Sequence, residues 1–216
     1  MSSRIHRWGI LGAGAVARKV MPSFLSMENA KVHGVCARDP EKTAHFAKVW
    51  EISRVYRTAE EMMEDPEIEI VYVATPNAMH ARHAAMALQY GKHVLVEKPF
   101  TVSEQQARYL QELAQKEGRF LMEAMWTRFF PATKRLLELT ADNAIGTVHN
   151  IRADFSFSRP YRAGMPLYTP ELGGGMLLDG GCYPLAFASM IYGRPPVRTM
   201  GLAEFAHGVD VRANVV

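Results

Sequence analysis

The sequence predicts an α/β chain, in which a Rossmann-type, doubly wound parallel sheet is followed by an α+β domain with a mostly antiparallel open sheet. Three observations predict it. Short β-branched apolar runs alternate with helical stretches up to residue 122. The first run ends in a glycine-rich turn that opens a helix. Beyond about residue 126 the rhythm changes, and residues 148–157 (VHNIRADFSF) alternate apolar and polar as a half-buried antiparallel strand does. The expected domains are 1–122 and 123–216.

Each element has a local reason. Residues 7–11 (RWGIL) form the first strand candidate, and 15–26 follow with helical character. Residues 31–37 (KVHGVCA) are the second strand, after which Asp39-Pro40 reads as an N-cap with proline at the first helical position. Val55-Tyr56 is a short strand, and Thr58 opens a helix. Residues 67–74 (EIEIVYVA) are a strong β-branched run, 77–90 are helical, and Gly91 sits where a C-terminal glycine belongs. Residues 92–96 (KHVLV) form the next strand, Thr101 or Ser103 caps a helix to about 115, and 120–125 (FLMEAM) form another strand. In the second domain, 130–139 and 177–192 are expected as helices, with 148–157, 197–205 and 209–216 as strands and a Gly208 turn between the last two.

Composition excludes several classes. With 216 residues, 48% apolar and a formal charge of +3, the chain can bury a core and is not disordered. Basic residues come at most in pairs, so there is no nucleic-acid footprint. No window has the roughly 18 apolar residues of a membrane span. The stretch after Arg4 and Arg7 is broken by Gly12, Gly14, Arg18 and Lys19, which makes a poor signal peptide. Two distant cysteines, Cys36 and Cys182, make no disulfide framework, and a cytoplasmic location is expected. No cluster has metal-ligand spacing, so no metal is expected.

The glycine turn carries the first chemistry. Gly12-Ala13-Gly14-Ala15-Val16-Ala17 is G-x-G-x-x-A between a strand and a helix. Gly12 permits the turn, Gly14 lets the backbone approach a pyrophosphate, and Ala17 allows close helix–strand packing. The amides around Ala15 and Val16 would meet the anion at the helix N-terminus. The second strand ends at Ala37-Arg38 without an acidic partner for a ribose 2′-hydroxyl. A guanidinium there suits the 2′-phosphate of NADP, with Lys42 assisting, while NAD stays possible. Asp39 reads better as a helix cap, and Lys42 reads equally well as a solvated lysine. Glu97-Lys98-Pro99 follows a buried strand, at the sheet edge where open α/β folds bind ligands. Pro99 is a candidate cis proline. On its own, His80 reads as a structural histidine and Trp126 as a core aromatic.

Gly12-x-Gly14-x-x-Ala17, Ala74-Thr75-Pro76-Asn77 with His80, and Glu97-Lys98-Pro99 together resemble the Gfo/Idh/MocA oxidoreductase family. Residues 122–131 (MEAMWTRFFP) resemble its branch of dimeric dihydrodiol dehydrogenases and NADP-dependent aldose 1-dehydrogenases. The resemblance implies that Thr75, Pro76, Asn77 and His80 shape a turn beneath the cofactor. It places Glu97 and Lys98 by the nicotinamide ribose and the substrate hydroxyl, and Trp126 and Arg128 on the nicotinamide side or the loop that closes over the cofactor. It also implies a sugar or diol substrate and a homodimer or higher oligomer formed through the open sheet.

Residues 173–184 (GGGMLLDGGCYP) hold the proton-transfer candidates. Asp179 and Tyr183 are four apart and share a face of a helix. The family pattern has His where this chain has Tyr183, a replacement found in the dihydrodiol and aldose dehydrogenase branch. Tyrosine, with an unperturbed pKa near 10, is a poor base alone. The Lys98 ammonium would favour its phenolate. Tyr183 would then take the proton of a substrate hydroxyl, Lys98 would stabilise the oxyanion, and Asp179 would orient a neighbouring hydroxyl. Cys182 is expected on a different face, as a small buried residue. The sequence stops inside an apolar run, 209–216, and relatives are longer, so a fragment lacking part of the substrate pocket, or a truncated form whose open edge a partner covers, is expected.

Overall fold

A computed structural model describes residues 4–216, divided into two compact units, Met1–Ala124 and Met125–Val216. In the first unit, β1 (His6–Leu11), α1 (Ala15–Ser26), β2 (Ala30–Cys36), α2 (Pro40–Val49), β3 (Arg54–Tyr56) and α3 (Ala59–Glu64) come first. They are followed by β4 (Ile70–Val73), α4 (His80–Gln89), β5 (His93–Val96), α5 (Glu104–Lys116) and β6 (Leu121–Glu123). The six strands form one sheet in the order β3-β2-β1-β4-β5-β6, with every pairing parallel. Strand order reverses between β1 and β4, the switch point at which a doubly wound sheet opens a ligand crevice.

Both faces of this sheet are buried, and the period-2 alternation of each strand decides which residue serves which face. Ile10, Val35 and Tyr72 pack with Met21 and Phe24 of α1 and Phe46 of α2. Leu11, Cys36, Val71, Val73, Val94 and Val96 pack with Met62 and Met63 of α3, Leu88 of α4 and Leu110 of α5. Each such side chain contributes about 1.5–3 kcal/mol by leaving water.

Local chemistry sets the helix starts. The Asp39 carboxylate accepts from the Lys42 amide at 3.1 Å, so the cap reading of Asp39 holds. Thr58 caps α3, and Ser103, rather than Thr101, caps α5. Gly91 and Gly118 take positive φ directly after their helices, as the C-terminal glycine argument requires.

The second unit departs further from expectation. It holds α6 (Pro131–Ala141), 3₁₀ turns at Trp126–Phe129, Pro166–Tyr168 and Pro170–Leu172, a π-turn at Leu177–Gly181, α7 (Cys182–Tyr192), and the hairpin β7 (Gly201–Ala206) and β8 (Val209–Val215). The expected strand at 148–157 is irregular chain. Its alternation is real, but among the described residues β7 and β8 pair only with each other, and a strand needs a neighbour to complete its ladder. The first strand of the hairpin starts at Gly201 rather than 197. Its two-residue turn places both His207 and Gly208 at positive φ, the geometry that matches the twist of the flanking strands. The helix expected over 177–192 instead opens as a π-turn. Pro184 explains the break: it has no N–H to bond back along the helix, and its ring collides with the carbonyl four residues earlier.

Candidate active site

In the first unit the site is assembled by strand ends. Gly12–Val16 follow β1, Ala37–Lys42 follow β2, Ala74–Asn77 follow β4, Glu97–Pro99 follow β5, and Glu123 ends β6. Parallel pairing carries all five segments to the carboxyl edge of the sheet. Backbone bonds lock them: Gly12 N donates to Cys36 O, Ala74 N to Leu11 O, Glu97 N to Val73 O, and Ala124 N to Val96 O.

The two turn glycines act differently. Gly12 has φ +112, and a methyl there would sit 2.4 Å from the Ala74 carbonyl oxygen. Only glycine lets these two turns approach so closely. Gly14 has ordinary backbone angles, and a methyl on it meets nothing within 4 Å. Gly14, Ala15 and Val16 are exposed, and no side chain caps α1. The first amides of the helix, which lack intrahelical partners, thus border open space suited to a dinucleotide pyrophosphate.

The β2 edge bears on ribose recognition. Arg38 is exposed. Asp39 is occupied by its cap and by the Lys42 ammonium at 2.9 Å, a pairing that holds its carboxyl below the usual range. Lys42 is therefore tied to Asp39. Nearby Cys36 is no nucleophile, since burial pushes its thiol up to about 11.

His80, only 1% exposed, joins two turns. Its Nδ1 lies 2.8 Å from Pro99 O and its Nε2 2.8 Å from Thr75 O. Burial pushes its pKa below the ordinary 6.5. The Lys98-Pro99 peptide is cis. Thr75 Oγ1 pairs with His83 Nδ1 at 3.1 Å. Glu97 is held by Tyr72, whose hydroxyl donates to its Oε1 at 2.5 Å, and its Oε2 accepts from the Lys98 amide at 3.1 Å. Burial raises the Glu97 carboxyl above its ordinary value and raises the Tyr72 phenol as well. Glu123 accepts from the Phe100 amide at 2.9 Å. Tyr72, His83 and Glu123 were not legible as site residues. Tyr72 and Glu123 stand inside apolar strand runs, where a polar end group was the only available signal.

In the second unit, Trp126 Nε1 donates to the Tyr183 hydroxyl oxygen at 3.0 Å. Phe155 packs beside the Tyr183 ring, with centroids 4.9 Å apart, and Phe130 meets Trp126 edge-on at 5.1 Å. Trp126 is 57% exposed rather than a core aromatic, and Arg128 is exposed on the same 3₁₀ turn. Asp179 lies in the π-turn and Tyr183 in the first turn of α7. Cys182 is half-buried, with its thiol toward the Asp179 carbonyl. Among the described residues, no group of three or more His, Cys, Asp or Glu could hold a metal ion, and no helix is long and apolar enough to cross a membrane.

Comparison with known proteins covers both units. Residues 6–125 match the model of the oxidoreductase family with NAD-binding Rossmann fold, and residues 133–216 match that of the GFO/IDH/MocA C-terminal domain. A trans-1,2-dihydrobenzene-1,2-diol dehydrogenase from Xenopus laevis is 37% identical over 97% of this chain, which spans 64% of that relative's length. Among solved structures, GenD2 from gentamicin A biosynthesis, in complex with NAD, has a TM-score of 0.90 at 26% identity, covering 100% of this chain and 62% of its own. A 3-ketoreductase from Actinomadura kijaniata with NADP and TDP-benzene has a TM-score of 0.87 at 26% identity, covering 98% and 66%.

Proposed function

The chain belongs to the GFO/IDH/MocA oxidoreductase family, and from that premise we propose that it is an NADP-dependent dehydrogenase acting on a cyclic polyol, either an aldose at C1 or a trans-dihydrodiol. The observation that carries this reading is the set of turns at one sheet edge: the open amides after Gly14, the His80-clamped Thr75-Pro76-Asn77 turn and the Glu97-Lys98 turn. NADP, when bound, supplies the hydride acceptor. Arg38 holds the 2′-phosphate in this reading, and Asp39, whose oxygens meet the Lys42 amide and ammonium, serves as the helix cap.

Proton transfer falls to Tyr183. Its oxygen already accepts the Trp126 N–H, a donor that can remain on that oxygen as it loses its proton to solvent and takes one from substrate. Lys98 stabilises the developing substrate oxyanion, and Asp179 orients a neighbouring hydroxyl. Arg128 is a further cofactor-binding residue in this reading. The dihydrodiol dehydrogenase relative supports the diol as substrate, and the ketoreductase structure, which holds NADP, supports that cofactor. The exposed apolar side chains of β7, Leu202 and Phe205, support association with a second copy.

The test is cofactor reduction with NADP⁺ and NAD⁺ against aldoses and dihydrodiols, in the parent chain and Tyr183→Phe. Turnover with NADP⁺, lowered roughly 10²–10⁴-fold by Tyr183→Phe while NADP⁺ still binds, is the expected result. Tight NADP⁺ binding without turnover on any substrate would make the chain a cofactor-binding protein instead.

A further inference from the structure

The three glycines at 173–175 and the strand β8 meet at the start of the proton-transfer segment. Gly174 is closely packed: a methyl there would lie 2.7 Å from both the Pro166 and Leu167 carbonyl oxygens. Gly175 has φ +117, its N–H donates to Leu167 O, and its carbonyl accepts from the Asp179 amide at 3.1 Å. Two residues on, Leu177 N donates to Asp210 Oδ2 at 2.6 Å. The other carboxylate oxygen, Oδ1, occupies the space above Gly175, where a methyl would come within 2.1 Å of it. Asp210 comes from 33 residues further along the chain. It is the second residue of β8, directly after the buried Val209, and the adjoining hairpin turn packs Gly208 toward Pro170.

We propose that Asp210 is a positioning residue for catalysis: its carboxylate, seated where a side chain at Gly175 would otherwise be, anchors the Leu177–Gly181 π-turn and thereby sets Asp179 and Tyr183. The side chain is suited to this task because one oxygen accepts the Leu177 N–H while the other fills the space over Gly175. Leu177 N lies in the first turn of the helical run, where amides have no intrahelical acceptor, and Asp210 supplies one. Gly175 is then required twice, for its backbone angle and for the room it gives the carboxylate. The proposal rests on the roles given above to Asp179 and Tyr183.

The experiment compares Asp210→Ala, Asp210→Asn and Gly175→Ala in the 216-residue chain by steady-state kinetics, NADP⁺ binding and amide hydrogen exchange over residues 175–183. Expected for Asp210→Ala is a kcat loss of about 10–100-fold, as for a reacting group misplaced by an ångström, with NADP⁺ affinity unchanged. Exchange should accelerate in 175–183 and nowhere in the first unit. Asp210→Asn, which keeps an acceptor, should recover most of the activity, and Gly175→Ala should reproduce the alanine phenotype. Unaltered kcat and exchange in Asp210→Ala would overturn the proposal. So would an Asn variant as impaired as the Ala one, because the charge and not the anchor would then be at work. If Asp210→Ala does not fold, the Asn and Gly175 variants decide by the same readouts. If the parent chain turns over no substrate, the functional reading fails, while the exchange data still decide whether Asp210 anchors the turn.

Discussion

Trp126 donates its indole N–H to the Tyr183 hydroxyl oxygen across 3.0 Å, which ties a 3₁₀ turn at the start of the second unit to the first turn of α7. The residue type matters, since indole nitrogen can only donate, so the phenol oxygen must be the acceptor. Trp126→Phe keeps an aromatic ring against Phe130 and removes only that donor. The expected outcome is a fall in kcat of about 3–10-fold, the worth of one ordinary hydrogen bond, with the NADP⁺ dissociation constant unchanged. Steady-state kinetics and cofactor fluorescence titration check it. A change confined to NADP⁺ affinity would place Trp126 on the cofactor instead.

The Tyr72–Glu97 pair predicts a pH dependence of stability. Tyr72 is 1% exposed, and its hydroxyl is the partner that eases the burial of the Glu97 carboxyl. Because burial raises the folded pKa of Glu97 above its ordinary 4.5, the folded chain holds this proton more tightly than the unfolded chain. Its contribution is fully present below 4.5 and is lost as pH rises through the folded value. Tyr72→Phe removes the hydrogen bond that counters this rise, so the loss should extend to higher pH. At neutral pH the variant should be about 1–3 kcal/mol less stable, because a buried carboxyl loses its partner. Urea unfolding of both chains between pH 4 and pH 8 measures both effects.

Much of the cofactor half was legible in the sequence, and for physical reasons. A parallel sheet buried on both faces writes itself as β-branched runs, and helix caps such as Asp39 and Ser103 follow local rules. The turn residues Gly12, Gly14, Glu97 and Lys98 stand at strand ends, which patterning finds, whereas Thr75 was legible only through the family resemblance. Tyr72 and Glu123 escaped because their roles depend on pairing between strands far apart in sequence. The second unit was less legible. Alternation at 148–157 marks a segment able to pair, but whether a neighbouring strand exists is a tertiary fact. The amide that opens the π-turn at Leu177–Gly181 is met by Asp210, 33 residues further along, a contact invisible to any local reading.

Arg38 should set cofactor preference. It is exposed at the end of β2, and Lys42 beside it is engaged by Asp39, so Arg38 is the guanidinium available to a 2′-phosphate. Arg38→Ala should weaken NADP⁺ binding by about 10–100-fold, the worth of a charge-assisted contact, and leave NAD⁺ binding nearly unchanged. Isothermal titration with both cofactors checks it. Equal losses for the two would exclude Arg38 from phosphate recognition.

Gly12 and Gly14 are two residues apart and should fail in opposite ways when changed to alanine. At Gly12 the new methyl would meet the Ala74 carbonyl oxygen at 2.4 Å, on a backbone with φ +112. The turn must shift, so the chain itself is destabilised by about 1–3 kcal/mol, even without cofactor. At Gly14 the methyl enters open space on ordinary backbone angles, and apo stability should change by less than about 0.5 kcal/mol. That open space is where the backbone must approach the pyrophosphate, so Gly14→Ala should weaken NADP⁺ at least tenfold. Thermal melts with and without NADP⁺ separate the two cases: Gly12→Ala lowers the apo midpoint, whereas Gly14→Ala leaves it in place and loses the cofactor-induced rise. A Gly14→Ala chain that keeps the full rise would show that the pyrophosphate does not lie against this turn.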